Sequence, residues 1–249
     1  MLKHPFVFIF NVLESQHAVF RTSLFSHIKW IFDQDNQKCI FLPIRNSAHS
    51  TLEHRAEIID KKLRSIGSAH IVALSVSGVD CRIALSAFST PMESLFTISS
   101  PHNGSTLATW AYSPERDLSL LDPICRFLGL PFDAFVELRT DRMQKINKKL
   151  SQVTTPICST SSWKHPKPSL DLLTETAEFL QGNDDVIVKW NDGIFYVDEM
   201  KWGNHLLSFD GDHTEILGSN LKINCAPLYR LALDNAQRFE LHQEGKVAN

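Results

Sequence analysis

Short apolar runs alternate with longer stretches of helical period along the first hundred residues, and this alternation constrains the fold more than any other feature. Phe6 to Asn11, Cys39 to Pro43, His70 to Leu74 and Ser94 to Ser99 read as strands. Between them, Ser15 to Phe32 carries Val19, Phe20, Leu24, Ile28 and Ile31 at helical spacing. Thr51 to Ile66 carries Leu52, Ala56, Ile59 and Leu63 with Glu53, Arg55, Lys61 and Lys62 interleaved, and Ser77 to Phe88 forms a third helical stretch. Strand and helix in alternation mean a parallel sheet covered by helices on both faces. From Pro101 to Leu150 the periodicity weakens, and Pro114, Asp122-Pro123 and Leu130-Pro131 punctuate it into short helices. The expectation is a single α/β domain over residues 1–249, its sheet mainly parallel, with a small helical cap or lid at about 106–150. Thr140 to Leu150 reads as a helix, Pro156 to Ser159 as a short strand, and Ala226 to Phe239 as the last helix.

Composition narrows the function classes. A chain of 249 residues with 43% hydrophobic content can bury one sizeable core. Its net charge of -3, with both signs interspersed, offers no polycationic face for nucleic acid. Cys39, Cys81, Cys125, Cys158 and Cys225 lack the spacing of a metal knuckle or a disulfide framework. They read as reduced core residues, which points to an intracellular, cytoplasmic location. The apolar start from Pro5 to Leu13 reads as a buried first strand rather than a signal peptide, for want of a small-residue cleavage site. No run reaches the roughly 20 apolar residues of a membrane span, which leaves only peripheral membrane contact.

One serine lies at the junction of a strand and a helix, in Ala73-Leu-Ser-Val-Ser77 followed by Gly78. A nucleophile elbow needs that junction, because the tight turn lifts the hydroxyl out of the sheet and brings the following N–H groups toward a substrate oxygen. It also needs small residues on either side, here Ala73 and Ser77. Both glycines of the usual Gly-x-Ser-x-Gly are replaced. Local sequence therefore leaves a second reading open, in which Ser75 merely caps the next helix. Likewise Asn191-Asp192-Gly193 reads either as a surface turn or as a turn that aims a carboxylate inward.

Four blocks in order carry a resemblance: Val72 to Arg82, with Asp80 and Arg82 on the helix; Thr97-Ile-Ser-Ser-Pro-His-Asn-Gly-Ser105; Asn191-Asp192-Gly193; and Lys201-Trp202-Gly203 followed by Asp212-His213. The chain resembles the lipase/esterase branch of the α/β-hydrolases, related to bacterial family I lipases and their eukaryotic intracellular relatives. The resemblance spans nearly the whole sequence and implies an α/β-hydrolase fold. It implies Ser75 as nucleophile, Asp192 as acid and His213 as base, in the chain order Ser, Asp, His. It favours His213 over His205. His102 is expected to pack and hydrogen-bond near the site, and Asp198, Asp184 and Asp185 are lesser candidates for the acid.

A serine hydroxyl needs an adjacent imidazole to take its proton and a carboxylate to orient that imidazole. The oxyanion would be met by the backbone N–H of Val76 and by that of Val12. There the family has His-Gly and this chain has Phe10-Asn11, with Asn11 expected in the left-handed conformation that asparagine tolerates. Leu74 stands where relatives often have histidine. The expected reaction is hydrolysis of an apolar or lipid ester through an acyl-serine, and the alternative is a non-catalytic α/β-hydrolase-like protein that binds a lipid or a partner. No cofactor and no metal are expected, with His49 and His54 facing solvent. Leu107, Trp110, Tyr112, Leu118, Leu120, Leu121, Phe127, Phe132 and Phe135 make the cap region apolar, mostly for packing onto the core, and would also suit an acyl chain.

Overall fold

A computed structural model of the chain describes residues 2–13, 19–46, 50–150, 153–165, 168, 171–182, 189–216 and 224–245. Among these residues six strands form one sheet, β1 (Phe6–Leu13), β2 (Cys39–Asn46), β3 (Ala69–Leu74), β4 (Met92–Ile98), β5 (Ile157–Trp163) and β6 (Asn204–Asp210). Their order is β2-β1-β3-β4-β5-β6 and every adjacent pair is parallel. Alternate side chains of a strand point to opposite faces. Val7, Ile9, Ile71 and Ala73 therefore enter one core with α2 (Leu52–Ile66) and α3 (Ser77–Phe88). Phe6, Phe8, Phe10, Val72 and Leu74 enter the other, against α1 (Val19–Gln34) and Tyr229 of α10 (Ala226–Gln243). A sheet covered on both sides wants strands apolar at successive positions, which is why these runs show no polar alternation.

Between β4 and β5 the chain forms α4 (Thr106–Ala111), α5 (Leu118–Leu128), α6 (Phe132–Val136) and α7 (Thr140–Lys149). Thr51, Ser105 and Asp117 each accept a backbone N–H at a helix start, His54, Ala108 and Ser119 respectively. Two short helices, α8 (Asp171–Gln181) and α9 (Val197–Met200), follow β5. The first three strands and α2, α3, α7 and α10 lie within a few residues of the sequence reading. The part of the first expected helix at 15–18 lies outside the described residues, as do Asp184, Asp185 and His49. The strand β6 was not anticipated: its sequence Asn-His-Leu-Leu-Ser-Phe-Asp neither alternates nor stays apolar, and it is held as an edge strand by β5.

Strand order reverses at β1, since β2 lies on one side of it and β3 on the other. In an open parallel sheet the crevice outside the carboxyl ends of the strands at such a reversal is where ligands bind. The carboxyl end of β3 is Leu74, immediately before Ser75.

Candidate active site

Ser75 sits between β3 and α3 with φ +55°, a left-handed conformation that costs a non-glycine residue about 1–2 kcal/mol. Its N–H donates to the Ile98 carbonyl at 2.8 Å, which ties the turn to the end of β4. A tight turn needs close approach of its neighbours. A Cβ built on Gly78 would lie 2.1 Å from Ser100 Oγ, so no side chain fits there without rearrangement. Ser77, at the second glycine position of the Gly-x-Ser-x-Gly pattern, is fully buried, and its Oγ accepts from Asn11 Nδ2 at 2.9 Å.

The Asn191-Asp192-Gly193 turn is built by its own side chains. Asn191 Oδ1 accepts from the Gly193 N–H at 2.9 Å, and Asp192 Oδ1 accepts from Ile194 and Phe195 at 3.1 and 2.9 Å. Gly193 takes φ +95°, with Leu173 Cβ only 2.8 Å from where its own Cβ would be. With Oδ1 occupied, Oδ2 is left for partners across the site. His213 Nδ1 lies 2.7 Å from Asp192 Oδ2, and His213 Nε2 lies 2.8 Å from Ser75 Oγ. The carboxylate can only accept, so Nδ1 carries the proton and Nε2 is the acceptor for the serine hydroxyl. Asp192 and His213 are fully buried, and their backbones are linked as well, His213 N–H to Asp192 O at 2.9 Å.

The loop that carries His213 is locked by its flanking acids. Asp212 Oδ1 accepts from the N–H groups of Thr214 and Glu215, and Glu215 Oε2 accepts from the Asp212 N–H at 2.9 Å. That reciprocal pattern is a capping box, legible in Asp-His-Thr-Glu. The imidazole is wedged edge-to-face against Phe195 and Phe127, at centroid distances of 5.4 and 6.0 Å.

The competing residues lie elsewhere. His205 is on β6, within hydrogen-bond distance of Ser159 and Ser161. Asp198 is exposed and pairs with Lys201, and His54 faces solvent. His102 is fully buried, its Nε2 2.9 Å from Thr97 Oγ1; burial, reinforced by the charge of Arg82, holds its pKa well below the ordinary value and keeps the ring neutral. Arg82 donates to the His102 carbonyl and to Asn147 Oδ1 and stacks 3.8 Å over the Trp202 ring, and its burial lowers its pKa to about 9. It thereby fixes the Pro101-His102 turn. All five cysteines are free thiols, and burial pushes Cys39 and Cys125 up to about 12.

The end of β1 differs from the sequence reading. Asn11 is not left-handed; it continues the strand opposite Ile44, and its side chain lies among Ser77, Asp80 and Asn46. Val76 is the N-cap of α3, at the end where the first helical N–H groups lack intrahelical acceptors. Val12 is paired with Arg45. The Phe6 N–H donates to Lys38 O, and in a parallel ladder alternate residues face the same neighbour. By that alternation the Val12 N–H faces β2, and the last N–H of β1 on the β3 side belongs to Leu13. Ser162 on β5 was not singled out from sequence; its Oγ donates to Asp192 Oδ2 at 2.7 Å. Among the described residues no group of three or more His, Cys, Asp or Glu converges to hold a metal ion, and no helix is long and apolar enough to cross a membrane.

No protein-family model matches the chain, and no curated protein does. Solved structures do. The mature Bacillus licheniformis lipase BlEst2 is similar over 93% of this chain and 92% of its own, with a TM-score of 0.70 at 20% identity. The metagenomic carboxyl esterase MGS0156 is similar over 96% of this chain and 76% of its own (TM-score 0.60, 16% identity). The Paleococcus ferrophilus monoacylglycerol lipase is similar over 96% and 97% (TM-score 0.54, 13% identity). With its parallel sheet and the serine turn after its central strand, this chain has the α/β-hydrolase fold, in the form found in those lipases and esterases.

Proposed function

We propose that the chain is a serine carboxylic ester hydrolase acting on an apolar or lipid ester. The observation that carries this reading is the unbroken line from Ser75 Oγ through His213 to Asp192, at 2.8 and 2.7 Å, on a serine held left-handed. A serine that only caps a helix needs neither a strained backbone nor a base oriented by a buried carboxylate. In the reaction His213 Nε2 takes the Ser75 proton as Oγ attacks the ester carbonyl, and the oxyanion forms beside the Val76 N–H. His213 then protonates the leaving alcohol, and water, activated by the same nitrogen, cleaves the acyl-Ser75. Val12 joins Val76 as a donor only if its rung with Arg45 opens when substrate binds; Leu13 offers an N–H on the correct side without that change.

The helices at 106–150 serve as the cap in this reading, and Phe127 of α5 carries it to the edge of His213. Tyr112 and Leu118 are 64% and 52% exposed, which leaves apolar surface on this region for a lipid substrate or a membrane face. A fluorophosphonate probe tests the proposal: wild type is labelled, whereas Ser75→Ala is not and His213→Ala reacts at least about a thousandfold more slowly. A folded wild type that resists the probe and hydrolyses no p-nitrophenyl ester would leave the non-catalytic binding protein as the better reading.

A further inference from the structure

Ser162 and Ser99 lie in the core beside the acid, both fully buried, and the proposed chemistry assigns them nothing. Ser162 Oγ is 2.7 Å from Asp192 Oδ2 and 2.6 Å from Ser99 Oγ. Proton accounting fixes the direction of this chain. A carboxylate only accepts, so the single Ser162 proton goes to Asp192, and the proton between the two serines must come from Ser99. The remaining neighbour of Ser162 Oγ, the Met200 sulfur at 3.9 Å, is a weak acceptor and does not compete.

The backbone at Ser99 takes an unusual conformation. Ser99 stands just past β4 with φ +50°, one of four non-glycine residues at positive φ among the described residues, and its N–H is held by Thr160 O at 3.0 Å. Strain of this kind persists where surrounding structure over-determines a conformation, and it clusters at functional sites. Asp192 Oδ2 then receives two hydrogen bonds, from Ser162 and from His213 Nδ1, while Oδ1 receives two backbone N–H bonds.

We infer that Ser99 and Ser162 form a buried hydroxyl relay that positions Asp192, so that its Oδ2 meets the His213 Nδ1–H and holds the imidazole in the tautomer that accepts the Ser75 proton. Both serines are positioning residues, acting on substrate only through the acid. The relay rests on the esterase reading for its effect on turnover, but not for its effect on the Asp192–His213 hydrogen bond. A buried hydroxyl donating to a carboxylate is a charge-assisted contact, and its loss at the reaction step corresponds to about a tenfold change in rate.

The experiment compares wild type with Ser162→Ala, Ser162→Thr, Ser99→Ala and the Ser99→Ala/Ser162→Ala double variant. It uses hydrolysis of p-nitrophenyl butyrate and the far-downfield proton resonance of His213 Nδ1–H, assigned by its absence in His213→Ala. Ser162→Ala is expected to lower kcat about tenfold with KM within about twofold, and to move the resonance upfield as Oδ2 is no longer held in line with the Nδ1–H. Ser162→Thr keeps the hydroxyl and recovers most of kcat. Ser99→Ala lowers kcat by about threefold, and the double variant behaves as Ser162→Ala alone, because Ser99 acts through Ser162. An unchanged kcat and resonance in Ser162→Ala overturns the relay, and so does a Ser99→Ala effect that adds in full on the Ser162→Ala background. If Ser162→Ala does not fold, Ser162→Thr and Ser99→Ala decide: loss of both kcat and the wild-type resonance in the threonine variant, or no effect in Ser99→Ala, overturns it. If wild type hydrolyses nothing, the esterase reading fails, and the resonance alone decides the relay.

Discussion

Ser75 combines a place at the junction of β3 and α3, within hydrogen-bond distance of His213, with an unfavourable backbone. At φ +55° its Cβ crowds the neighbouring carbonyl, and the hydrogen bonds of the turn hold it there. Removing only the hydroxyl leaves that crowding, and removing Cβ relieves it. Ser75→Gly is therefore expected to be more stable than Ser75→Ala by about 1 kcal/mol in urea unfolding, with both variants inactive. Equal midpoints would show that the turn carries no strain. Local sequence left Ser75 divided between nucleophile and helix cap because small-x-Ser-x-small satisfies both. The proposed nucleophile role draws on a backbone angle and on an imidazole 138 residues away in the chain, neither of which a local motif encodes.

The N-terminal half of α3 is held in place by a buried polar network. Arg55 of α2 donates through Nε to both Asp80 oxygens, at 3.0 and 2.9 Å, and through Nη1 to Ser50 O, with both side chains fully buried. Asn11 of β1 adds a bond to Asp80 at 3.2 Å. One sheet strand and two helices are thereby fixed close to Ser75, at the start of α3. Breaking one side of such a pair leaves an uncompensated charge, so Arg55→Met is expected to cost about 3–5 kcal/mol, measured as a lowered denaturant midpoint. Adding Asp80→Asn on that background recovers much of the loss, because the charge is gone as well. Arg55 read from sequence as one of the charges interleaved with the apolar positions of a helix. Its burial was not legible, because its partner lies 25 residues on and in another helix. Asn11 was read as a substitute glycine, and its side chain instead fills the space between β1 and α3.

Over the whole molecule, burial of neutral histidine couples stability to pH. His102 has its pKa held well below 6.5 in the folded chain, chiefly by burial, while the unfolded chain protonates near 6.5. Below that pH the unfolded state binds more protons, so stability falls as pH falls, by up to about 1.4 kcal/mol per pH unit from this residue. The check is unfolding by urea at pH 6.5 and 5.5: wild type loses stability over that interval, and His102→Gln gives a flatter dependence. His70, fully buried and also shifted downward by burial, acts in the same direction.

The sequence alone determined the alternation of strand and helix and the parallel character of the sheet, and it offered the proposed serine, acid and base in that order. These follow from periodicity and from short blocks, which need only neighbouring residues to be legible. Tertiary structure decided what no neighbour reports. It decided that β1 runs on through Leu13 and turns the Val12 N–H toward β2. It made an edge strand of Asn204 to Asp210, and it brought Ser99 and Ser162 from separate strands to one carboxylate. The physical reason is that hydrogen-bond direction and burial are properties of pairs of segments, and the pairing exists only once the sheet has assembled.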